Sequence, residues 1–195
     1  DIRELVYQDG ALYFGEEKID MVYRRVTSSE LVEKADEARG FLDAYYANAF
    51  VCIGSMRSQV IHNKKAFAIL HNPDWRHLFT DEENAFIAGH MPYTGSLTEA
   101  TKQKVLADKD RYIIKPADSR GSAGVYVGAD WSKDEYEKKL DEVMQGPAIY
   151  QDYYVAEPMP FVYFDEEGRF SVQPLVPLYG MFIYMGEFQG VYTRV

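Results

Sequence analysis

The chain is poor in cysteine, in positive charge and in long apolar runs, and each shortage removes a class of protein. One cysteine, Cys52, stands among 195 residues, so no internal disulfide can form, and a reducing, cytoplasmic setting is expected. Lys and Arg number 21 against 31 Asp and Glu, a formal net charge of −10. Phosphodiester backbones are held by concentrated positive fields, so a nucleic-acid partner is not expected. No apolar run approaches the roughly 20 residues that cross a bilayer, and no basic leader precedes an apolar segment, so no membrane partner is expected either. Internal repeats and low-complexity linkers are lacking too. The chain opens at Asp1 without a methionine and stops within the strand-like "GVYTRV", as a fragment of a longer protein would.

A hydrophobic content of 47% supplies a substantial core for one domain or two small packed lobes. "ALYFGEEKIDMVYRRV" reads as two extended runs about a charged turn. In "TSSELVEKADEARGFLDAYYAN", Thr27 and Glu30 form a capping pair, and Leu31, Ala35, Ala38, Leu42 and Tyr45 recur at helical spacing. "AFVCIGS" reads as a buried strand holding Cys52 as a structural thiol, and "SQVIHNKKAFAILHN" as one helix ending before Pro73. A short helix stopped by Pro92 follows, then another capped by Ser96 and Glu99. "SKDEYEKKLDEVMQG" is strongly amphipathic: Ser132 caps with Glu135, Tyr136, Leu140 and Val143 or Met144 form the stripe, and Gly146 ends it. After the strand "AIYQDYYV", the remainder reads as an antiparallel meander with turns at Glu167-Gly168, Gly180 and Gly186. Its tyrosines (Tyr153, Tyr154, Tyr163, Tyr179, Tyr184, Tyr192) stand at strand spacing and are expected in core and interface packing rather than at a carbohydrate. His90 is expected to fix a turn through a backbone bond.

The chemistry concentrates in "RYIIKPADSRGSAGVYVG", where two β-rich runs flank a loop of small residues. Glycines such as Gly121 and Gly124 let backbone N–H groups approach phosphate oxygens, Ser119 and Ser122 add hydroxyl donors, and Lys115 adds a point charge. The loop is neither a G-x-x-x-x-G-K-[ST] P-loop nor a Rossmann turn, since a strand rather than a helix follows it. A plain glycine hairpin with an exposed lysine is the alternative.

This strand, loop and strand, followed by an amphipathic helix and "IYQDYY", resembles the centre of the ATP-grasp superfamily. From about Ile19 to Arg194, through "IDMVYRRVTSSEL", "AFVCIGSMRSQVIHNKKAFAIL" and "HMPYTG", the chain is similar to the circularly permuted members related to the glutathionylspermidine synthetase C-terminal region. The resemblance implies an α+β fold in which two α/β lobes with a mainly antiparallel sheet clasp ATP. Residues 1–110 would form an N-terminal α/β substrate portion, 111–154 the glycine-loop lobe and hinge, and 155–195 an incomplete antiparallel C-terminal lobe.

It further implies that Lys64, Lys115, Ser119, Arg120, Gly121, Ser122 and Gly124 surround the phosphates, and that Gln151, Asp152, Tyr153 and Tyr154 line the adenine. Lys65 is the alternative to Lys64. Arg194 would join Lys115 as a catalytic residue, its guanidinium gripping two phosphate oxygens. Arg24 and Arg25 fall on the substrate side, where strand alternation would send only one into a cleft. ATP and Mg²⁺ are the implied cofactors, and no metal ligand is assignable: Asp165 and Glu187 sit beside turns, and Arg169 and Gln173 stand on the strand where relatives carry an aspartate or arginine. The implied activity is carboxylate–amine ligation through an acyl phosphate, with small acid and amine substrates of peptide or polyamine type. A small-molecule kinase and a nucleotide-binding module without catalysis are the alternatives.

Overall fold

A computed structural model describes residues 1–119 and 121–195; Arg120, expected beside the phosphates, lies outside the described residues. The chain is α+β, with strands that pair mainly antiparallel. It divides into two compact units, Asp1–Asp152 and Tyr153–Val195.

The first unit opens with an antiparallel sheet of β1 (Leu5–Gln8), β2 (Ala11–Phe14) and β3 (Glu17–Ile19). Then come β4 (Met21–Tyr23), α1 (Ser28–Glu33), α2 (Arg39–Tyr46) and β5 (Val51–Ile53), which pairs parallel with β4. The Thr27–Glu30 capping box forms as read, but the single expected helix is two. The chain turns between Glu33 and Arg39, leaving Ala35 exposed while Leu31, Ala38 and Phe41 are buried. The second helix answers to β1: a Cβ at Gly40 would lie 2.1 Å from the Leu5 carbonyl oxygen. β5 is not the buried strand expected, because its two-stranded sheet leaves Val51 and Ile53 exposed and Cys52 half-buried. Burial still pushes the Cys52 thiol pKa up.

The next predicted helix is also two, α3 (Gln59–His62) and α4 (Lys65–Leu70). Asn63 between them is extended, and its side-chain oxygen accepts from the Lys65 N–H at 3.0 Å. That local bond competes with helix continuation. α5 (Asp81–His90) ends before Pro92 as read. His90 Nδ1 lies 3.1 Å from the Phe86 carbonyl oxygen and its ring stacks on Phe86, a structural role within the helix.

The principal sheet runs β6–β9–β7–β8 from β6 (Thr94–Leu97), β7 (Tyr112–Pro116), β8 (Tyr126–Val127) and β9 (Ala148–Asp152), all antiparallel. α6 (Glu99–Ala107) and α7 (Lys133–Val143) pack on one face, where Leu97, Val105, Tyr112, Ile114, Tyr136, Leu140, Ala148 and Tyr150 form the core. α7 has the Ser132–Glu135 box and the Tyr136, Leu140, Val143 stripe that its sequence dictates. α6 is capped by Thr98 rather than Ser96, because Ser96 is paired with Ile149 inside β6. β9 ends at Asp152 rather than continuing through Tyr153: its last residues face Thr94 and Tyr112, where both neighbouring strands begin.

The second unit holds two hairpins, β10 (Met159–Phe164) with β11 (Phe170–Leu175) and β12 (Leu178–Tyr184) with β13 (Glu187–Arg194). The first turns where Asp165 accepts the N–H groups of Glu167 and Arg169, the second at Met185-Gly186, both with positive φ, as a two-residue hairpin turn demands. Gly180 is not a turn: it pairs with Tyr192 inside the ladder, and a Cβ there would lie 2.0 Å from that ring. Nor do the tyrosines of this unit form a core. Tyr154, Tyr163, Tyr179 and Tyr184 are exposed, and the Phe182 ring lies tilted against Tyr192 across the strands, their centroids 5.3 Å apart.

Gly40→Ala should destabilise the protein by about 1–3 kcal/mol, because the new methyl must displace β1. Gly89→Ala, a helical site with nothing within 4 Å of the added Cβ, should instead stabilise by about 0.5–1 kcal/mol. Urea midpoints of the two variants, moving in opposite directions at unchanged slope, check this.

Candidate functional site

β7 delivers Lys115 to the sheet face opposite the α6 and α7 core, since Tyr112 and Ile114 point into that core and alternation turns Ile113 and Lys115 away. α4 packs against β6 and β9 and carries Lys64 at its N-terminal boundary. The helix break at Asn63 then has a consequence. The Lys64 N–H donates to the Ala117 carbonyl at 2.8 Å, while its Nζ donates to the Ser119 carbonyl at 2.7 Å and approaches Ser119 Oγ at 3.3 Å. One residue therefore holds the root of the glycine loop by backbone and by side chain. Lys65 is exposed.

Lys115 Nζ donates to Gln151 Oε1 at 2.8 Å, so two residues 36 apart in the chain meet on one face. Burial lowers the pKa of Lys115, and the neighbouring charge of Lys64 lowers it further. Burial lowers that of Lys64 as well, against a smaller opposing pull from Asp118. Among the described residues neither ammonium is in an ion pair. In a chain of charge −10, two partly desolvated neighbouring cations make a local positive site.

The loop itself turns through left-handed backbone: Gly121, Ser122 and Gly124 have φ of 62°, 60° and 69°. Gly124 also has no room for a side chain, since a Cβ would lie 2.7 Å from Pro116 Cγ. Ser122 adopts this conformation without glycine's freedom, a local strain of the kind found where backbone is arranged around ligands. Asp118 is tied back to α3, accepting from Gln59 Nε2 at 3.0 and 3.1 Å, with His62 Nε2 3.8 Å away.

Beside the loop lies a cleft of about 450 Å³ lined by Arg24, Arg25, Ser28, Gln59, His62, Asp118 and Ser119. Both arginines reach it, against the expectation of one, because β4 ends at Tyr23 and strand alternation stops there. Arg24 is fixed as a structural tie, donating to the carbonyls of Gly54, Val26 and Ser55. Arg25 is exposed and has no hydrogen-bond or ion-pair partner among the described residues. Gln59 and His62 were not singled out from sequence, and no local pattern marks them: their proximity to Asp118 spans more than fifty residues of chain.

The remaining expected residues stand elsewhere. Asp152 spends its carboxylate on Arg111, with contacts of 2.9 and 3.1 Å. Tyr153, Tyr154 and Arg194 belong to the second unit, where the Arg194 guanidinium lies over the Tyr192 ring. Asp165 is occupied by its own turn and Arg169 pairs with it, while Gln173 bonds Ser171. Among the described residues no group of three His, Cys, Asp or Glu could hold a metal ion, and no helix is long and apolar enough to cross a membrane.

No family model matches the chain, and no curated protein matches it. Among solved structures it is similar to the D-alanyl-alanine synthetase A of Vibrio cholerae O1 biovar eltor, at 13% identity and a TM-score of 0.45, covering 86% of this chain and 49% of that one. It is also similar to the ATP-grasp ligase PsnB complexed with minimal precursor, at 14% identity and a TM-score of 0.44, covering 97% of this chain and 62% of that one. The chain thus spans about half to three-fifths of the length of these structures. These are likenesses of chain course and assign no residue.

An anion such as tripolyphosphate should bind this unit and lose affinity as pH rises. Because both lysine pKa values are lowered, the loss should begin below the ordinary lysine range. Calorimetry across pH checks this; affinity that holds steady through that whole range would take both lysines out of the anion seat.

Proposed function

We propose that the Asp1–Asp152 unit binds ATP with its phosphates under the glycine loop, and that the protein is an ATP-dependent carboxylate–amine ligase. The observation that carries the reading is that Lys64, bonded to Ser119 at the root of a loop of left-handed backbone, lies close enough to Lys115 for the two charges to act on each other, with Gln151 bonded to Lys115. Lys64 is preferred to Lys65 because its amine meets Ser119 while Lys65 is exposed. The permuted arrangement, the relation to the glutathionylspermidine synthetase region, a cytoplasmic setting and acid and amine substrates of peptide or polyamine type belong to the same reading.

The chemistry follows from charge. A substrate carboxylate attacks the γ-phosphorus, ADP leaves, and an amine then displaces phosphate from the acyl phosphate to give an amide. Lys64 and Lys115 offset charge on the phosphoryl oxygens without reorganising, since their positions are already fixed by the loop and by Gln151. The loop excludes water that would hydrolyse the activated acid. Magnesium accompanying ATP would supply further neutralisation when bound; the described residues offer it no cluster of ligands. Ser119, Arg120, Gly121, Ser122 and Gly124 are assigned to the phosphates, the β9 terminus with Tyr153 and Tyr154 to the adenine, and Arg194 to the transferring phosphoryl group.

The acid is assigned to the cleft beside the loop, where, among the described residues, Arg25 is the arginine not already committed to backbone carbonyls. A nucleotide-binding module without ligation is the second reading, favoured by the engagement of Asp152 with Arg111 and of Asp165 with its turn. A kinase would need a base at a substrate hydroxyl.

Calorimetry with ATP, with and without magnesium, should give micromolar, metal-dependent binding that Lys115→Ala abolishes; a folded protein that binds no ATP would sink the reading. Given binding, acid and amine pairs are screened for ADP release coupled to amide formation. Arg25→Ala should raise the KM for the acid about tenfold or more, the loss of a charge-assisted contact, while leaving ATP affinity unchanged. ATP binding without coupled amide formation for any pair selects the module.

A further inference from the structure

The inference rests on the nucleotide reading and adds a residue to it. Thr94, the first residue of β6, is 1% exposed. Its partner across the ladder is Gln151, and Gln151 is the diagonal neighbour of Lys115, which itself pairs with Ile149. The three side chains therefore lie in a row across one sheet face. Their hydrogen bonds have one direction. Thr94 Oγ1 donates its only proton to the Pro92 carbonyl at 3.0 Å, so it can only accept from its other neighbour. Gln151 Nε2 meets that requirement at 2.9 Å. The amide is then obliged to turn Oε1 toward Lys115, and Nζ donates to it at 2.8 Å. A primary amide and an ammonium both carry donors, and only this orientation makes their contact attractive.

We propose that Thr94 is a positioning residue, which through Gln151 fixes the Lys115 ammonium in place and in its charged form on the polar face of the sheet. One of the three ammonium protons goes to Gln151, leaving two for phosphate oxygens. Removing the hydroxyl leaves a half-buried amide N–H₂ without its acceptor, and nothing then prevents it from turning that group toward Lys115. Lys64 is the charged neighbour acting on Lys115, and burial the larger influence, and both already disfavour the ammonium. Losing the Gln151 carbonyl adds to the same side, so the amine titrates at lower pH.

Thr94→Val keeps the shape and deletes the hydroxyl, and Thr94→Ser keeps the hydroxyl. The Lys115 side chain is followed by NMR of lysine-labelled, ligand-free protein across pH, assigned by its loss in Lys115→Ala, with ATP affinity by calorimetry in parallel. Thr94→Val should move the Lys115 midpoint downward and weaken ATP about tenfold, and Thr94→Ser should restore both. An unmoved midpoint in Thr94→Val overturns the proposal, even if ATP binding falls, because general loosening of β6 would weaken binding without that signature. A midpoint that fails to return in Thr94→Ser overturns it too. A wild-type protein that titrates as described but binds no ATP overturns the nucleotide reading and leaves the hydroxyl's control of Lys115 upheld.

Discussion

The first unit depends on the register of β9 between β6 and β7. Four residues, Ala148 to Gln151, are paired on both sides, and their alternation divides the sheet into two chemistries. Ala148 and Tyr150 face α6 and α7 with Ile114, Tyr112 and Leu97, and burial of each large side chain there contributes about 1.5–3 kcal/mol. Gln151 faces the other way, with Thr94 and Lys115. A slip of one residue would exchange Tyr150 for Gln151, placing an amide in the core and a ring among the lysines. The apolar face thus specifies the position of the polar one.

That polar face is held against its own electrostatics. Lys64 and Lys115 are both partly desolvated and act on each other unfavourably, in a chain with ten more acidic than basic charges. The acidic excess lies elsewhere, on exposed helix caps such as Glu83 and Glu135 and on surface pairs such as Arg39 with Asp36. An anion placed between the lysines relieves their repulsion, so the unit is arranged to gain from a ligand rather than from an internal counter-ion. Lys64 links this charge to the loop: its N–H holds Ala117 and its ammonium holds Ser119.

What could be read from the sequence was local. The capping boxes at Thr27 and Ser132, the stripe of α7 and the strand, loop and strand about Lys115 follow from interactions within a few residues, and all are present. The misreadings share the opposite cause. The helix through 59–70 breaks because the Asn63 side chain accepts from the Lys65 N–H and the Lys64 N–H is claimed by Ala117, more than fifty residues along the chain. Ser96 fails as a cap because β9 claims it, and Gly180 fails as a turn because Tyr192 covers it. The candidate site divides the same way. Lys115 and the loop glycines announce themselves, whereas Thr94, Gln59 and His62 acquire meaning only from partners more than fifty residues distant.

The two units solve their strand pairing with unequal means, and this bears on where specificity can reside. The first backs its sheet with helices on both faces and fixes side chains such as Gln151 to within one hydrogen-bond arrangement. The second consists of two hairpins whose aromatic residues mostly remain exposed, and isolated two-stranded hairpins are marginal in water. Groups that must be aimed before a ligand arrives belong on the rigid sheet, where displacement costs core burial. Groups that need only arrive with the ligand can be carried by the hairpins. Lys115 is of the first kind, locked through Gln151 to a buried hydroxyl. Arg194, at the end of β13 with its guanidinium over a tyrosine ring, stands on one of the hairpins instead.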